Sequence, residues 1–254
     1  AEDLSQSLSS LKRLLYILIL VSSGLYFKPD LVPIDLEIFT IIGINGLSIP
    51  IYIFTIIMVS GFINAGNIAD GANGLLASIF LSFFIIAYSI DNTIFNFTVV
   101  TTLLAFIIFN VFTGKIFLGD FGAYFLSSLV AFKSLQFYSN NEVSVFFLGM
   151  ILIYPCFELM RSLIIRSIKS SSVMSPDNNH LHNHINTFLL SFALSKHLSN
   201  SITGIGIAFS TTIIPMILFF SGVPINSDLW KILFLIELIS LSLIYLLFEK
   251  KFSG

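Results

Sequence analysis

Length, composition and charge narrow the class of protein at the outset. The chain has 254 residues, of which 56% are hydrophobic and 10% charged, and its mean hydropathy is +0.96. These values exclude an ordinary soluble globular domain and make lipid the solvent for most of the chain. The formal net charge of -2 gives no electrostatic basis for nucleic-acid binding. The single cysteine, Cys156, lies in an apolar stretch, which excludes an intramolecular disulfide and indicates a packing residue.

Eight apolar stretches follow one another along the chain, each near the length of about 20 residues that a membrane-spanning helix needs. They lie at residues 11–27, 49–65, 72–89, 96–113, 122–138, 144–166, 201–220 and 228–248. The stretch 35–46 is interrupted by charge and glycine and is interpreted as a hairpin or interfacial segment. The sequence therefore predicts an all-α polytopic membrane helix bundle of about eight transmembrane helices, with residues 1–254 forming a single integral membrane domain. Because the chain starts without an initiator Met or a basic leader, we expect the C-terminal portion of a longer protein.

Basic residues near the span ends predict the orientation of the bundle. If residue 1 is cytoplasmic, nine basic residues face the cytoplasm and three face the outside. The nine are Lys12, Arg13, Lys115, Arg161, Arg166, Lys169, Lys196, Lys250 and Lys251, and the three are Lys28, Lys133 and Lys231. The polar motifs described next all fall on the predicted cytoplasmic side, so a single functional face is expected.

Two adjacent carboxylates, Glu2 and Asp3, stand at the mouth of the first predicted span, ahead of Lys12 and Arg13. Adjacent carboxylates raise one another's proton affinity and can supply a catalytic base. They also suit the acidic first turn of a helix. The residues alone leave both interpretations open.

The second motif runs from residue 64 to residue 74 and repeats polar side chains every three residues. Its members are Asn64, Asn67, Asp70 and Asn73, interleaved with three glycines. Side chains three residues apart share one side of a helix, and oxygen ligands mixed with amides and small residues suit a nucleotide or a metal-bound phosphate. A polar helix hairpin that packs tightly through its glycines is the structural alternative.

The third motif is a short turn at residues 114–122, preceded by Asn110, in which glycines bracket Asp120. Magnesium usually takes one or two protein carboxylates and fills its other sites with phosphate oxygens and water. Asp120 suits such a ligand, and an aspartate that caps the following helix is the alternative.

The fourth motif, at residues 175–184, lies in the longest predicted cytoplasmic loop. It contains His180, His182 and His184, and Arg166 and Lys169 precede it. Histidines at this spacing share a face if the segment is extended, and they could grip a pyrophosphate by donated hydrogen bonds and partial positive charge. A zinc site with Asp177 as a further ligand and a merely solvated loop are the alternatives.

Two carboxylates fall inside predicted spans. Glu158 follows Pro155, which is predicted to kink that helix. An intramembrane carboxylate is costly unless it is paired or near water, and Arg161 and Arg166 are its nearest candidate partners. Glu237 is isolated, and its pattern suggests no role beyond a helix contact.

Together the four motifs resemble those of the polyprenyl-phosphate N-acetylhexosamine-1-phosphate transferase superfamily, glycosyltransferase family 4, which includes the phospho-MurNAc-pentapeptide translocase. Their order matches as well, and the resemblance covers essentially the whole chain. It implies about three further spans upstream of the acidic pair. Glu2 stands where Asp is frequent, Asn73 where the peptidoglycan translocases have Asp, and Asn183 and His184 interrupt a run of adjacent histidines. These departures favour the branch that acts on UDP-N-acetylhexosamines for surface polysaccharides over the muramoyl-pentapeptide branch.

The resemblance also implies a reaction, in which a phosphate oxygen of undecaprenyl phosphate attacks the β-phosphorus of a UDP-sugar and UMP leaves. It implies Mg²⁺, or Mn²⁺ in its place, held by Asp120 with Asn67 and Asp70. The implied catalytic residues are Glu2, Asp3, Asp70 and Asp120, and the implied substrate-binding residues are Asn64, Asn67, Asn73, Asn110, Lys115, Arg166, His180 and His182. The site would face the cytoplasm from a bacterial inner membrane, and a homodimer is left open.

Two rival functions come from other classes. A transporter would use Glu158, Glu237 and the glycine-broken spans as a substrate path, which requires polar groups near the membrane midplane rather than at one face. A structural or inactive homologue would keep the fold without the reaction. The predicted gathering of polar motifs at one interface favours the enzyme.

Overall fold

The computed structural model describes residues 9–36, 48–168, 179–225 and 227–252. Within these ranges the chain forms ten α-helices, a short 3-10 helix at Pro29–Leu31 and no β-strand. The helices are α1 (Ser10–Phe27), α2 (Ser48–Ala69), α3 (Leu75–Ile90), α4 (Ile94–Thr113), α5 (Gly119–Ser139), α6 (Val145–Ile151), α7 (Ile153–Ile168), α8 (Leu181–Leu190), α9 (Lys196–Phe220) and α10 (Asp228–Phe252). The predicted all-helical class is confirmed.

The predicted number of eight spans is not confirmed, although each predicted window contains a helix. In the part of the chain that the structure describes, α1, α2, α4, α9 and α10 are long and apolar enough to cross a membrane, and α6 with α7 would make a sixth span. Helix α3 is apolar but has only 16 residues, fewer than the roughly 20 that a bilayer core requires. Helix α5 is less apolar because it carries Asp120, Lys133 and Gln136.

Helix α3 is the centre of the bundle. Its sequence is apolar on every side, which is the pattern of a helix surrounded by protein, and Leu76, Phe80 and Phe84 are fully buried. It packs mainly against α4 and α9, while α2 packs against α1, α5 and α7. The larger apolar cluster therefore runs through α3 and extends to α6 and α10.

Close backbone approach fixes the start of α3. Gly74 has φ of 74°, a left-handed conformation that glycine adopts without the penalty a side chain would add. Helix α9 lies directly over this turn, because a Cβ built on Gly204 would be 2.0 Å from the Asn73 carbonyl oxygen. Gly74 and Gly204 therefore allow α9 to pack directly against the turn that joins α2 to α3.

The predicted span 144–166 is broken into two helices. Helices α6 and α7 meet at an angle of 86°, and the break lies at Leu152 rather than at Pro155, where the kink was predicted. Proline lacks a backbone N–H and is tolerated in the first turn of a helix, so Pro155 lies in the opening turn of α7. The bend directs α7 toward the histidine segment.

The histidine segment itself differs from its prediction. His180 precedes α8 as its N-cap residue, and His182 and His184 lie within the helix. The segment is therefore helical from Leu181 on, and the condition under which the three histidines would share a strand face is not met. Helix α8 packs against α9 and α10.

Candidate functional site

A cavity of about 250 Å³ opens where α2 ends, α3 begins, α4 ends and α5 begins. Five of the residues predicted for the site line it, namely Asn67, Asp70, Asn73, Asn110 and Asp120. They come from two motifs that are separated by about 40 residues in the sequence. The structure thus brings the second and third motifs together at one end of the bundle.

Asp70 lies in the cavity with a second carboxylate close by. The pKa of Asp70 is raised to about 7, mainly because the carboxyl group is buried and secondarily because Asp120 lies nearby with the same charge. Within the described ranges, no hydrogen bond or ion pair reaches the Asp70 side chain. A mostly buried carboxyl group with a like-charged neighbour is the environment that a bound cation would relieve.

Asp120 is connected to the first helix. Its Oδ2 accepts a hydrogen bond from Arg13 Nη1 at 2.6 Å, and both side chains are about one-third exposed. Asp120 is not the N-cap of α5, because that position is Leu118, so the alternative interpretation as a helix cap is wrong. Arg13 was not among the predicted site residues, since sequence spacing gives no sign of a contact between residues 107 positions apart.

Three asparagines at the cavity join the loops around it. Asn110 accepts a hydrogen bond from the Gly74 N–H at 2.6 Å through Oδ1 and donates one to the Ile116 carbonyl at 2.5 Å through Nδ2. The Asn73 N–H donates to Asn200 Oδ1 at 2.6 Å. The Asn110 amide is therefore engaged at both ends by the protein, which argues that it positions the cavity wall, whereas its predicted contact with substrate stays a prediction.

Asn73 makes a similar contact through its side chain. Its Nδ2 donates to Ser201 Oγ at 3.1 Å, and Ser201 donates in turn to the Val111 carbonyl at 3.0 Å. Asn200 and Ser201 at the start of α9 were missed by the sequence analysis. The available signal was their polar cluster at the beginning of an otherwise apolar span.

Other predicted residues lie elsewhere. Asn64 donates to the Ser60 carbonyl at 2.9 Å within α2, Lys115 is exposed, and Arg166 lies near the end of α7. None of these three lines the cavity, so their predicted roles in binding stay predictions. Glu2, Asp3 and Asp177 are outside the described residues.

Helix α8, which carries His182 and His184, lies next to the cavity. His182 Nε2 would be only 2.0 Å from a Cβ built on Gly71, which lines the cavity directly after Asp70. The ring of His182 stacks on that of His180, with centroids 5.2 Å apart and planes 11° apart. Burial is the main cause that lowers the pKa of His182 to about 4, so this ring is neutral at pH 7.

A metal site built from histidines finds no support in the described chain. Among the residues with described positions, no group of three or more His, Cys, Asp or Glu side chains is arranged to hold a metal ion. The zinc alternative also needs Asp177, which lies outside those ranges. A hard cation held by one or two carboxylates and by ligand oxygens does not require such a group.

A buried polar network holds α8 against α7. Glu158 is 0% exposed, and its carboxylate accepts hydrogen bonds from Arg161 Nε at 3.2 Å and the Leu181 N–H at 2.8 Å. His180 Nδ1 lies 2.8 Å from Glu158 Oε2 and 2.9 Å from Arg161 Nη2, and a ring nitrogen can serve only one of them at a time. The predicted pairing of Glu158 with Arg161 is confirmed.

Comparisons with known proteins agree with the motifs. The sequence profile described as Glycosyl transferase family 4 matches residues 1–138. A phospho-N-acetylmuramoyl-pentapeptide-transferase from Levilactobacillus brevis is 36% identical over 139 residues, covering 50% of this chain and 42% of the relative. A probable undecaprenyl-phosphate N-acetylglucosaminyl 1-phosphate transferase from Bacillus subtilis is 28% identical over 153 residues, covering 57% and 43%.

An undecaprenyl-phosphate alpha-N-acetylglucosaminyl 1-phosphate transferase from Thermotoga maritima is 29% identical over 133 residues, covering 51% of this chain and 41% of the relative. The chain spans about two fifths of the length of the curated relatives that it matches. No solved structure matches it. Because the profile covers more than half of the 254 residues and the helices are those of a multi-pass membrane protein, the chain belongs to glycosyl transferase family 4.

Proposed function

We propose that this chain carries the catalytic cavity of an enzyme that transfers a sugar-1-phosphate from a UDP-sugar to a polyprenyl phosphate, releasing UMP. The single observation that carries the proposal is the convergence of Asp70 and Asp120 in one amide-lined cavity at the end of apolar helices. The names of the matched relatives support the reaction class.

The position of the cavity suits two substrates of opposite solubility. It lies where several apolar helices end, and such helix ends reach the membrane interface. There a polyprenyl tail can stay in the bilayer while its phosphate meets a water-soluble nucleotide. The proposal places this end of the bundle at the cytoplasmic face of a bacterial inner membrane.

In the proposed step, an oxygen of the lipid phosphate attacks the β-phosphorus of the UDP-sugar. The bond between that phosphorus and the bridging oxygen breaks, and UMP leaves with that oxygen. Asp70 and Asp120, with the side-chain oxygen of Asn67, would hold Mg²⁺ or Mn²⁺, which neutralises charge on the diphosphate when bound. Their fit rests on two carboxylates that line one cavity, of which Asp70 receives no hydrogen bond from the described residues.

The protein's own groups set the geometry for this step. Arg13 fixes the orientation of Asp120 by the 2.6 Å contact. Asn110 holds the start of α3 against the turn before α5, which keeps Asp70 and Asp120 at a constant separation. Positioning of this kind accounts for a large share of the rate enhancement in phosphoryl transfer.

We further propose N-acetylhexosamine-1-phosphate as the transferred group, with cell-surface polysaccharide synthesis as the outcome. The alternative is the phospho-MurNAc-pentapeptide reaction, which the Levilactobacillus brevis relative is named for. Asn73, which stands where the peptidoglycan translocases have Asp, favours the first branch by resemblance, and here its side-chain amide donates to Ser201.

The transporter alternative is weakened by the surroundings of Glu158. That carboxylate is fully buried and bonded to neighbouring protein groups, so it does not line a path. Glu237 lies on α10, and within the described chain no hydrogen bond reaches its buried Oε1. A single unpaired carboxylate does not make a route from one side to the other.

The test is an assay of the purified full-length protein with undecaprenyl phosphate, Mg²⁺ and a panel of UDP-sugars. UMP release that requires both the lipid acceptor and the divalent cation is expected with at least one UDP-N-acetylhexosamine. Absence of acceptor-dependent UMP release with every donor, including UDP-MurNAc-pentapeptide, would contradict the proposed reaction.

A further inference from the structure

Helix α8 and the loop that follows it lie at the same end of the bundle as the cavity. In the sequence they stand between α7 and α9, and His182 of α8 reaches Gly71 at the cavity edge. Leu181, His182 and His184 are buried, so one side of α8 is covered by protein. Because the ends of spanning helices reach the membrane interface, this segment lies where lipid headgroups meet water.

The end of α8 carries a cluster of phenylalanine rings. Phe188 contacts Phe192 edge to face, with ring centroids 5.0 Å apart, and contacts Phe248 of α10 with centroids 5.5 Å apart. Phe192 is 62% exposed, although it lies in the turn after α8 and not in a spanning helix. Helices that lie in the membrane interface place Phe, Trp and Leu on the side that enters the boundary between headgroups and acyl chains. The cluster has the composition of such a side.

Lysines accompany this cluster. The Nζ atom of Lys251 lies 4.6 Å from the centroid of the Phe188 ring, and Lys196 and Lys250 are exposed. Glu249 is the one carboxylate that the sequence places in the end of α8, the loop before α9 or the last turn of α10. Positive charge therefore predominates at this surface.

We propose that this surface binds the anionic headgroups of phospholipids in the leaflet next to the cavity, with Phe192 inserted at the boundary between headgroups and acyl chains. We call it the anchor patch, and it consists of Phe188, Phe192, Lys196, Phe248, Lys250 and Lys251. A lysine reaches a headgroup by laying its apolar stem along the hydrocarbon and keeping its ammonium group in water. Each lysine near an anionic surface strengthens binding about fivefold.

The charge of the anchor patch distinguishes lipid from a second copy of the chain. In a two-fold dimer the same patch of both subunits would meet, and the lysines of one would oppose the lysines of the other. Anionic headgroups complement that charge, and they are present wherever the protein is inserted in a bacterial membrane. The inference needs only the membrane location and is independent of the proposed reaction.

Lipid retention tests the role of the lysines. The full-length protein is equilibrated in detergent micelles with equal amounts of phosphatidylglycerol and phosphatidylcholine, and the lipids that stay bound are counted by native mass spectrometry. Wild-type protein should retain phosphatidylglycerol preferentially. In the double variant Lys250→Gln and Lys251→Gln, the ratio of retained phosphatidylglycerol to phosphatidylcholine should fall by at least about tenfold, because two lysines near an anionic surface are lost.

The matched control is Lys231→Gln at the opposite end of α10. Lys231 also lies over an aromatic ring, 5.6 Å from the centroid of Phe146, but its Nζ is paired with Asp228 at 3.1 Å. Because that carboxylate offsets its charge, lipid retention within about twofold of wild type is expected. An unchanged ratio in the double variant, or an equal fall in Lys231→Gln, would overturn the proposal.

The depth of residue 192 is a second and independent measurement. A nitroxide label is attached to Phe192→Cys in vesicles that contain phosphatidylglycerol, with Cys156 and any other cysteine replaced by alanine. Oxygen, which dissolves in the acyl chains, should relax the label more than a water-soluble nickel chelate does, since interfacial residues enter about 5–10 Å below the headgroups.

The reference for this measurement is a label at Asn140→Cys. Asn140 is exposed in the turn after α5, at the other end of that helix from the cavity, and its label should respond mainly to the nickel chelate. A label at residue 192 that responds like the one at residue 140 would place Phe192 in water. A label that responds to neither reagent would place it under another protein surface, and either result would overturn the proposal.

Discussion

The cavity around Asp70 and Asp120 and the network around Glu158 use similar residues for opposite purposes. In the network, Glu158 is fully buried and accepts hydrogen bonds from protein donors. In the cavity, Asp70 has no such partner among the described residues, and its pKa is raised to about 7. The hydrogen bonds that Glu158 receives from the protein stabilise the fold, whereas Asp70, which receives none from the described residues, is available to a ligand.

The two regions meet at His182. His182 receives its orientation from the Glu158 side through Tyr154 and touches the cavity side at Gly71. Substitutions in the network should therefore mainly lower stability, and substitutions in the cavity should mainly lower activity. Changes at the contact should affect substrate use with little effect on stability.

The largest expected effect is on the cavity. Asp120→Asn should lower the proposed transferase activity by about 10³-fold, because the loss of the proposed charged metal ligand would cost several kcal/mol of transition-state stabilisation. Stability should change little, since a partly exposed ion pair contributes at most about 1 kcal/mol. UMP release and thermal unfolding measure the two quantities.

The matched control for Asp120→Asn is Asp91→Asn. Asp91 forms a comparable pair with Lys133 at 2.8 Å, and it lies in the loop between α3 and α4, at the other end of α3 from the cavity. Activity within about twofold of wild type is expected there. Full activity in Asp120→Asn would refute the metal assignment.

The next largest effect is on the network. Glu158→Gln should lower the free energy of unfolding by about 3–5 kcal/mol, because it leaves the Arg161 guanidinium buried without its charged partner. Glu237→Gln is the comparison, since that carboxylate has no described ion pair, and its effect should be within about 1 kcal/mol. Equal effects of the two variants, measured by denaturation in detergent micelles, would show that the network does not hold α8.

The contact between His182 and Gly71 can be tested by adding one methyl group at residue 71. A Cβ at residue 71 would lie 2.0 Å from His182 Nε2, so Gly71→Ala must displace either the ring or the turn after Asp70. A displacement near 1 Å at a site of this kind costs about 10²-fold in rate, and we expect a loss of at least about tenfold in kcat/KM.

Gly206→Ala is the matched control for Gly71→Ala. Nothing lies within 4 Å of a Cβ built on Gly206, which is in the interior of α9. Alanine there should leave activity unchanged and increase stability slightly, because glycine is the poorer helix former by about 1 kcal/mol. Similar activity losses in both variants would mean that His182 does not touch the cavity edge.

The smallest expected effect is a dependence of stability on pH. Burial lowers the pKa of His182 from 6.5 to about 4, so between these values the unfolded chain takes up a proton that the folded chain does not. Stability conferred by neutral His182 is therefore full above pH 6.5 and is lost as pH falls toward 4. The unfolding free energy of His182→Gln should fall less over this interval than that of wild type, and parallel curves would contradict the shift.

The sequence predicted the cavity more successfully than the network, and the reason is geometric. Asp70 lies in the turn between α2 and α3 and Asp120 in the first turn of α5, and such positions collect at the ends of a bundle. Periodicity and spacing therefore sufficed to place them on one face. The contact between Arg13 and Asp120 depends on how α1 packs beside α5, which no local pattern reveals.

The parts that the sequence missed depend on breaks in helices. The bend at Leu152 turns α7 and allows Glu158 to meet the first turn of α8. Helix α8 was assigned to a loop because its polar histidines interrupt the apolar pattern, although buried partners satisfy them in the fold. The predicted number of eight spans is not confirmed in the described residues for a related reason, since hydrophobicity does not separate a short buried helix such as α3 from a spanning one.

In the proposed reaction the enzyme transfers a phosphorus atom together with the sugar, rather than the sugar alone. Incubation of the full-length protein with undecaprenyl phosphate and UDP-N-acetylhexosamine labelled with ³²P at the β-phosphorus tests it most directly. The account predicts that the label moves to the lipid fraction while unlabelled UMP is released. Label that stays with the nucleotide as UDP, with the sugar alone on the lipid, would contradict it.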